Sequence, residues 1–361
     1  MIHWRDGIVT EIGRVWPGAR ELTVSLTVRS ASDPASVRAL AYPELVGSPE
    51  TGDRVLVNIS ALAMGLGTGG YALVMAIPDR LPADPDGDLS RAAGHMVKAR
   101  YTPQQTIVLG VDEEASPHRD AMLAATDLGS MPVITADLHS AVPAILAGIP
   151  AGLRVAYVMT DGGALPAWFS RSLAALGDRL SGTVTAGQAF GGDLEATNVH
   201  SGLLAARHVL GADIAIVAQG PGNLGTGTTW GFSGTAVGEA VNAAVALGGQ
   251  PVGSLRISDA DGRDRHRGIS HHSMTAYGRV ALAAADLVVP RGLPEPLASA
   301  VEEQAATLRA RHLIVLVDTD GLDQALRALP VKLSTMGRDL DGDYAYFLAA
   351  AAAGRHAAAL V

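Results

Sequence analysis

Between about residue 105 and residue 320 the chain repeats one pattern: a short β-branched apolar run stops at a cluster of Gly, Asp, His, Ser or Thr, and a small-residue helical stretch follows. That alternation predicts a predominantly parallel α/β sheet, doubly wound with helices on both faces, because parallel strands need long crossovers and helices supply them. The runs are Thr106–Gly110 before Asp112-Glu113-Glu114, Pro132–Ala136 before Asp137-Leu138-His139-Ser140, and Arg154–Met159 before Thr160-Asp161-Gly162-Gly163. Gly182–Thr185, Asp213–Ala218 and Val252–Ile257 continue the series, ahead of Gly187–Asp193, Gly220–Gly225 and Ser258-Asp259. Every cluster falls at a predicted strand end, so the polar residues are expected to meet along one crest, where sheets of this kind bind ligands.

Upstream the pattern changes. Gly7–Ile12, Glu21–Val28, Val37–Tyr42, Arg54–Ile59 and Tyr71–Ile77 are short alternating or β-branched runs separated by Gly, Pro, Asp and Ser, with no helical stretch between them. They predict a small β-barrel of the OB or SH3-like kind over residues 1–90, with Pro78–Leu89 as its linker, and an α/β domain over 91–361 that carries the site. The barrel has more Asp and Glu than Lys and Arg and few aromatics to stack on bases, which points to a structural or oligomerisation module.

A net charge of -9 argues against a broad nucleic-acid face, and small ligands are the expected partners. With no cysteine in the chain, any metal must be held by His, Asp, Glu or Asn. No apolar segment approaches the roughly 18–20 residues that span a bilayer, so a cytoplasmic protein is expected. The alanine-rich stretch Ala345–Ala353 reads as a docked terminal helix.

Two segments match G-x-G-x-x-G. Gly65–Gly70 runs into the strand-like Tyr71–Met75, where dinucleotide binding needs a helix, and Gly220–Gly225 has no acidic residue ending the next strand. The second suits a phosphate or carboxylate cradle, in which Gly220, Gly222 and Gly225 let backbone N–H groups approach an anion and Thr226 adds a hydroxyl. Lysine is missing where a P-loop would require it. The small residues from Gly231 to Ala244 would let the next helix pack closely against the sheet or a second subunit, so a homo-oligomer is expected.

The densest polar stretch is Ser258–Ser273. Ser270 reads as the N-cap of a helix through Ala285, with His271 and His272 in its first turn, and Arg263, Arg265 and Arg267 are placed to clamp an anion beside His272. His139, Asp161 and His271 are the candidate catalytic residues. Asp137, Asp161, Asp193 and Glu195 are candidate ligands for Mg2+ or Mn2+, since carboxylates suit those ions. Read as a helix, Gly191–His200 places Glu195 and Asn198 on one face and turns His200 away.

Taken together, Gly94–Pro103, Leu138-His139-Ser140, Met159–Gly162, Ala189–Ala196, Gly220-Pro221-Gly222 with Gly225-Thr226-Gly227, and Arg263–His272 resemble a bacterial family known as domain of unknown function 3866. The resemblance spans nearly the whole chain. That family has no assigned activity, so it implies neither a mechanism nor catalytic residues. The residues themselves lead to an enzyme acting on a small phosphorylated or carboxylated metabolite, a metal-assisted hydrolase or transferase, with a non-enzymatic anion sensor or scaffold as the alternative.

Overall fold

The computed structural model describes residues 2–28, 30, 33–82 and 94–361; residues 83–89 of the expected linker fall outside them. The chain forms two compact units, Met1–Ile107 and Val108–Val361. In the first, β1 (Trp4–Trp16), β2 (Ala19–Val28), β3 (Ser36–Ala41), β4 (Arg54–Asn58) and β5 (Ala72–Ala76) make a closed barrel in the order β1-β2-β3-β5-β4. All pairs are antiparallel except β3 with β5, and β4 closes back on β1. Alternation along these strands sends Val9, Leu22, Val24, Val37, Ala39, Val55 and Val57 into one core. Gly65–Gly70 precedes β5, a strand, as its sequence context demands.

β6 (Met96–Lys98) and β7 (Thr106–Val108) form a separate two-stranded ribbon, so Thr106–Gly110 does not enter the main sheet as a strand. Only its end, Gly110, bridges to the sheet, at Glu195. The main sheet comprises β8 (Pro132–Ala136), β9 (Val155–Thr160), β10 (Gly182–Ala186), β11 (Leu194–Ala196), β12 (Ile214–Gln219), β13 (Gln250–Ser254), β16 (Asp286–Pro290) and β17 (Leu313–Val317), all parallel, in the order β11-β10-β9-β12-β8-β13-β16-β17. A short hairpin, β14 (Ile257–Ser258) with β15 (Gly268–Ile269), projects beyond β13.

Both faces of the sheet are covered, and the alternation shows how. Along β9, Val155, Tyr157 and Met159 pack into one helical layer while Ala156 and Val158 pack into the other; Ile214, Ile216 and Ala218 are divided from Ala215 and Val217 in the same way along β12. The first layer contains helices Ala141–Gly148, Arg171–Leu176, Leu322–Arg327 and Tyr344–Ala358; Val199–His208 and Ala236–Ala246 belong to the second. Right-handed crossovers dictate this arrangement: β8 to β9 to β10 moves toward one edge through the first layer, and β11 to β12 to β13 returns through the second. Neighbours β12 and β8 therefore send their following helices to opposite faces, which opens a crevice between their carboxyl ends.

The alanine-rich segment is the buried helix Tyr344–Ala358, with Ala345–Ala353 all sequestered. It crosses helix Ala141–Gly148 at backbone distance, made possible by two glycines. A Cβ on Gly354 would fall 2.0 Å from Ile145 O, and one on Gly148 would collide with Ala351 O. No helix among the described residues is long and apolar enough to cross a membrane.

Gly148→Ala and Gly354→Ala are each expected to destabilise the protein by at least about 1–3 kcal/mol, the range for overpacking a dense core. Gly262→Ala meets open space and should barely move the midpoint. Urea unfolding followed by far-UV circular dichroism tests both statements.

Candidate functional site

The crevice at the ends of β8, β9 and β12 is a small cleft lined by Asp137, Thr160, Gln219, Ser233 and Gly234, among others. Gln219 laces its floor: the amide Nε2 donates to Asp137 O at 2.9 Å and approaches Asn223 Oδ1 at 3.1 Å. Gly234 leaves room for Asp137, since a Cβ there would lie 3.2 Å from the aspartate Cβ. Asp137 is only 6% exposed, yet its Oδ2 has no hydrogen-bond partner, and Gln219 Oε1 is likewise buried and unpartnered. The nearest basic groups to that carboxylate stand off, with Arg256 Nη1 at 3.9 Å and His272 Nδ1 at 3.8 Å. Burying a carboxylate without full pairing is costly, which makes Asp137 the leading candidate functional group of the cleft.

Beside the cleft, the β14–β15 hairpin presents a histidine cluster. The 3-10 turn Asp264–His266 and the helix His271–Thr275 bring His266, His271 and His272 together, with candidate ligand atoms within 4.8 Å of one another. Ser270 caps the helix by accepting from His272 N at 3.2 Å, and its Oγ also meets His266 Nδ1 at 2.7 Å. A π-helical turn, Ala276–Val280, ends this segment five residues short of the expected Ala285, where Ala281 turns extended. Phe232 stacks flat on His272, with centroids 3.9 Å apart and planes at 2°. Burial, reinforced by neighbouring cations, lowers His266 to about 3 and His271 to about 4, so both rings are neutral at ordinary pH.

An ionic network braces the hairpin. Asp261 accepts from Arg263 Nε and Nη2 at 2.9 and 2.8 Å, with Arg256 Nη2 at 3.3 Å and Arg338 Nη2 at 3.5 Å. Those hydrogen bonds from Arg263 hold the Asp261 carboxyl far below the usual range. Asp343 takes Arg338 at 2.8 Å and Ser258 Oγ at 2.8 Å. Of the three expected anion-clamping arginines, Arg263 is thus committed to Asp261, and Arg267 leans on Asp261 O at 3.2 Å. Arg265 is exposed and reaches the glycine-rich loop, where a Cβ on Gly227 would lie 3.6 Å from its Nη2; its charge also acts on His271.

That loop forms a closed hairpin. Gly225 bridges Phe232, and Thr226 N donates to Gly231 O at 2.7 Å. Thr226 Oγ1 lies 3.0 Å from Thr228 Oγ1, so its hydroxyl is partly engaged, while Gly222, Gly225 and Thr226 face solvent. Gly220 is pinned to β9 through its N–H on Thr160 O at 3.1 Å.

The remaining candidates lie apart from this assembly. His139 is buried on the first-layer side, with Nδ1 3.1 Å from Tyr157 Oη and Nε2 2.7 Å from Ser170 Oγ. A single proton assignment satisfies the chain: Tyr157 donates to Gln219 O at 2.9 Å and accepts from Nδ1–H, while Ser170 donates to Nε2 and accepts from Leu173 N at 3.1 Å. Asp161, exposed at the end of β9, accepts from Gln188 N at 2.7 Å and pins the turn after β10. Asp193 accepts from Thr183 N, and Glu195 accepts from Thr185 Oγ1 and Gly191 N, all within 2.8 Å. Both belong to the edge strand β11 and the turn before it, four strand spacings or roughly 19 Å from β8, so they do not meet Asp137. Leu194–Ala196 is a strand rather than helix, and the following helix starts at Val199 with an Asn198–Ser201 capping box.

His266, Arg256, Asp261, Arg338 and Asp343 are the site residues that sequence reasoning passed over. His266 carried a signal, since it stands five residues before His271 with glycine and an N-cap serine between them. The others lie among many charged residues of both signs, and only the folded arrangement shows which of these pair.

A model of one protein family, described as Protein of unknown function (DUF3866), matches residues 38–354. No curated protein and no solved structure matches the chain.

Burial lowers His139 to about 4 in the fold. An unfolded chain takes up that proton near the ordinary value of about 6.5, so the unfolded state binds more protons between pH 6.5 and 4 and stability falls as pH drops through that window. His139→Gln is expected to flatten this slope in urea titrations repeated across pH 4–7; an unchanged slope would show that the ring is protonated in the fold.

Proposed function

This chain belongs to the DUF3866 family of proteins of unknown function, and from that footing we propose that it is an enzyme binding a small phosphorylated or carboxylated metabolite at the sheet crest. The observation that carries the reading is the buried, incompletely paired Asp137 at the switch point, facing a cleft, while Arg265 reaches the glycine-rich loop that follows β12. Such a crevice is where ligands enter doubly wound sheets.

Arg265 is the guanidinium left over after the others are braced, and its planar fork suits phosphate or carboxylate oxygens. Gly222, Gly225 and Gly227 leave their backbone open beside it. Asp137 supplies the acid–base group, positioned by packing against Gly234 and by the Gln219 amide on its own carbonyl. His139, satisfied on both nitrogens, holds the ends of β8 and β9 together through Tyr157.

Arg265→Ala is expected to weaken binding of inorganic phosphate, or of the tightest phosphorylated or carboxylated metabolite in a thermal-shift screen, by about 10–100-fold, the worth of charge-assisted hydrogen bonds. Asp137→Asn should retain that binding in calorimetry and lose turnover of the same compound. Turnover that survives Asp137→Asn would remove the acid–base role, and ligand stabilisation without any product would make the protein a sensor.

A further inference from the structure

We propose that His266, His271 and His272 form a binding site for one divalent transition-metal ion, of which Zn2+ suits the three imidazoles best. The proposal deepens the preceding reading, because it rests on the same crest being the working face and adds the ion that would meet the anion there.

The geometry comes first. The three residues offer ligand atoms within 4.8 Å of one another, and their ring centroids lie 4.4–5.0 Å apart. His266 is 1% exposed and His272 5%. His271 Nε2 and His272 Nδ1 are buried and have no hydrogen-bond partner. His266 has its Nδ1 occupied by Ser270 Oγ at 2.7 Å, which fixes the ring and leaves Nε2 as its candidate ligand atom. Two of the three rings thus hold a buried nitrogen with no partner, and a cation that accepts several lone pairs relieves them together.

Charge balance permits it. Arg256, Arg263 and Arg338 are answered by the carboxylates of Asp137, Asp261 and Asp343. Arg265 adds a further positive charge that acts on His271, and an anion bound together with the divalent ion would offset it. The ring of His272 is held in plane by Phe232 stacked at 3.9 Å, so the donor set is preformed rather than gathered by the ion.

Donor chemistry selects the ion. Imidazole nitrogens suit Zn2+, Co2+ or Ni2+, whereas Mg2+ prefers oxygen ligands. The carboxylates expected to hold Mg2+ or Mn2+ are dispersed, and Asp193 and Glu195 are consumed by backbone and threonine donors. Three protein ligands leave a fourth position for an exogenous oxygen, as at catalytic rather than structural zinc sites. Arg265, which acts on His271, stands where an anion on that position would find it.

The test uses the full chain, stripped with a chelator, dialysed and titrated with ZnCl2 by calorimetry, with Co2+ absorption as a second readout. One equivalent should bind, and Co2+ should give visible ligand-field bands. His266→Ala and His271→Ala are each expected to weaken Zn2+ binding by more than about 100-fold, beyond what losing an outer hydrogen-bond partner costs. His200→Ala, an exposed histidine elsewhere, should leave it unchanged. If an alanine variant does not fold by circular dichroism, His271→Gln replaces it and the Co2+ spectrum of the unmodified protein decides. Absence of stoichiometric uptake, or uptake indifferent to the His266 and His271 variants, overturns the site. Phosphate titrated into the stripped protein separates the two readings: phosphate bound without metal uptake defeats the metal site alone, and metal uptake without phosphate binding upholds it while defeating the anion reading.

Discussion

One buried carboxylate, Asp261, holds the β14–β15 hairpin end of the sheet in shape. It is 2% exposed and gathers Arg256, Arg263 and Arg338 from the end of β13, the hairpin loop and the distant segment before the last helix. A lone buried charge would be prohibitive, and removing one member of such a pair typically costs about 3–5 kcal/mol because the other is left stranded. The arrangement therefore comes as a set. It fixes the hairpin that carries His266, and through Ser270 it fixes the entry to the helix that carries His271 and His272.

The placement of the crest follows from chain direction rather than from any side chain. Right-handed crossovers through opposite layers force β12 in beside β8, and the loops after those strands must then face each other. Asp137 and the Gly220–Gly225 loop meet at the cleft for that reason, although more than 80 residues separate them. The glycines at 162 and 163 press this geometry further, since a Cβ on Gly163 would strike Gly220 O at 2.1 Å.

Much of the architecture was legible in the sequence, because period-two alternation and strand-end punctuation are local signals: the barrel and the parallel sheet with two helical layers rest on them, and the alanine run Ala345–Ala353 marks its helix by composition. Legibility ended where the folded structure chooses among partners. His139 reads as a free imidazole until Tyr157 and Ser170, 18 and 31 residues away, claim both nitrogens. Leu194–Ala196 carries residues that favour helix, and parallel pairing with β10 overrides that preference. Arg263 looks like an anion clamp beside Arg265, yet Asp261 two residues earlier takes it bidentately. What distinguishes the neighbours is which guanidinium is already spoken for, and only the tertiary structure decides that.

The glycine-mediated crossing of Ala141–Gly148 with Tyr344–Ala358 sets an order on how the larger unit comes together. The covering for one face of β8, β13 and β16 is supplied by the last helix in the sequence, and Ser140 meets Tyr346 across that seam at 2.8 Å. During synthesis, Ile145 and its neighbours wait with an open apolar surface until the residues near 358 have left the ribosome. This face of the core closes only once Tyr344–Ala358 is made, so a nascent chain halted before that helix is left with its sheet half-clothed.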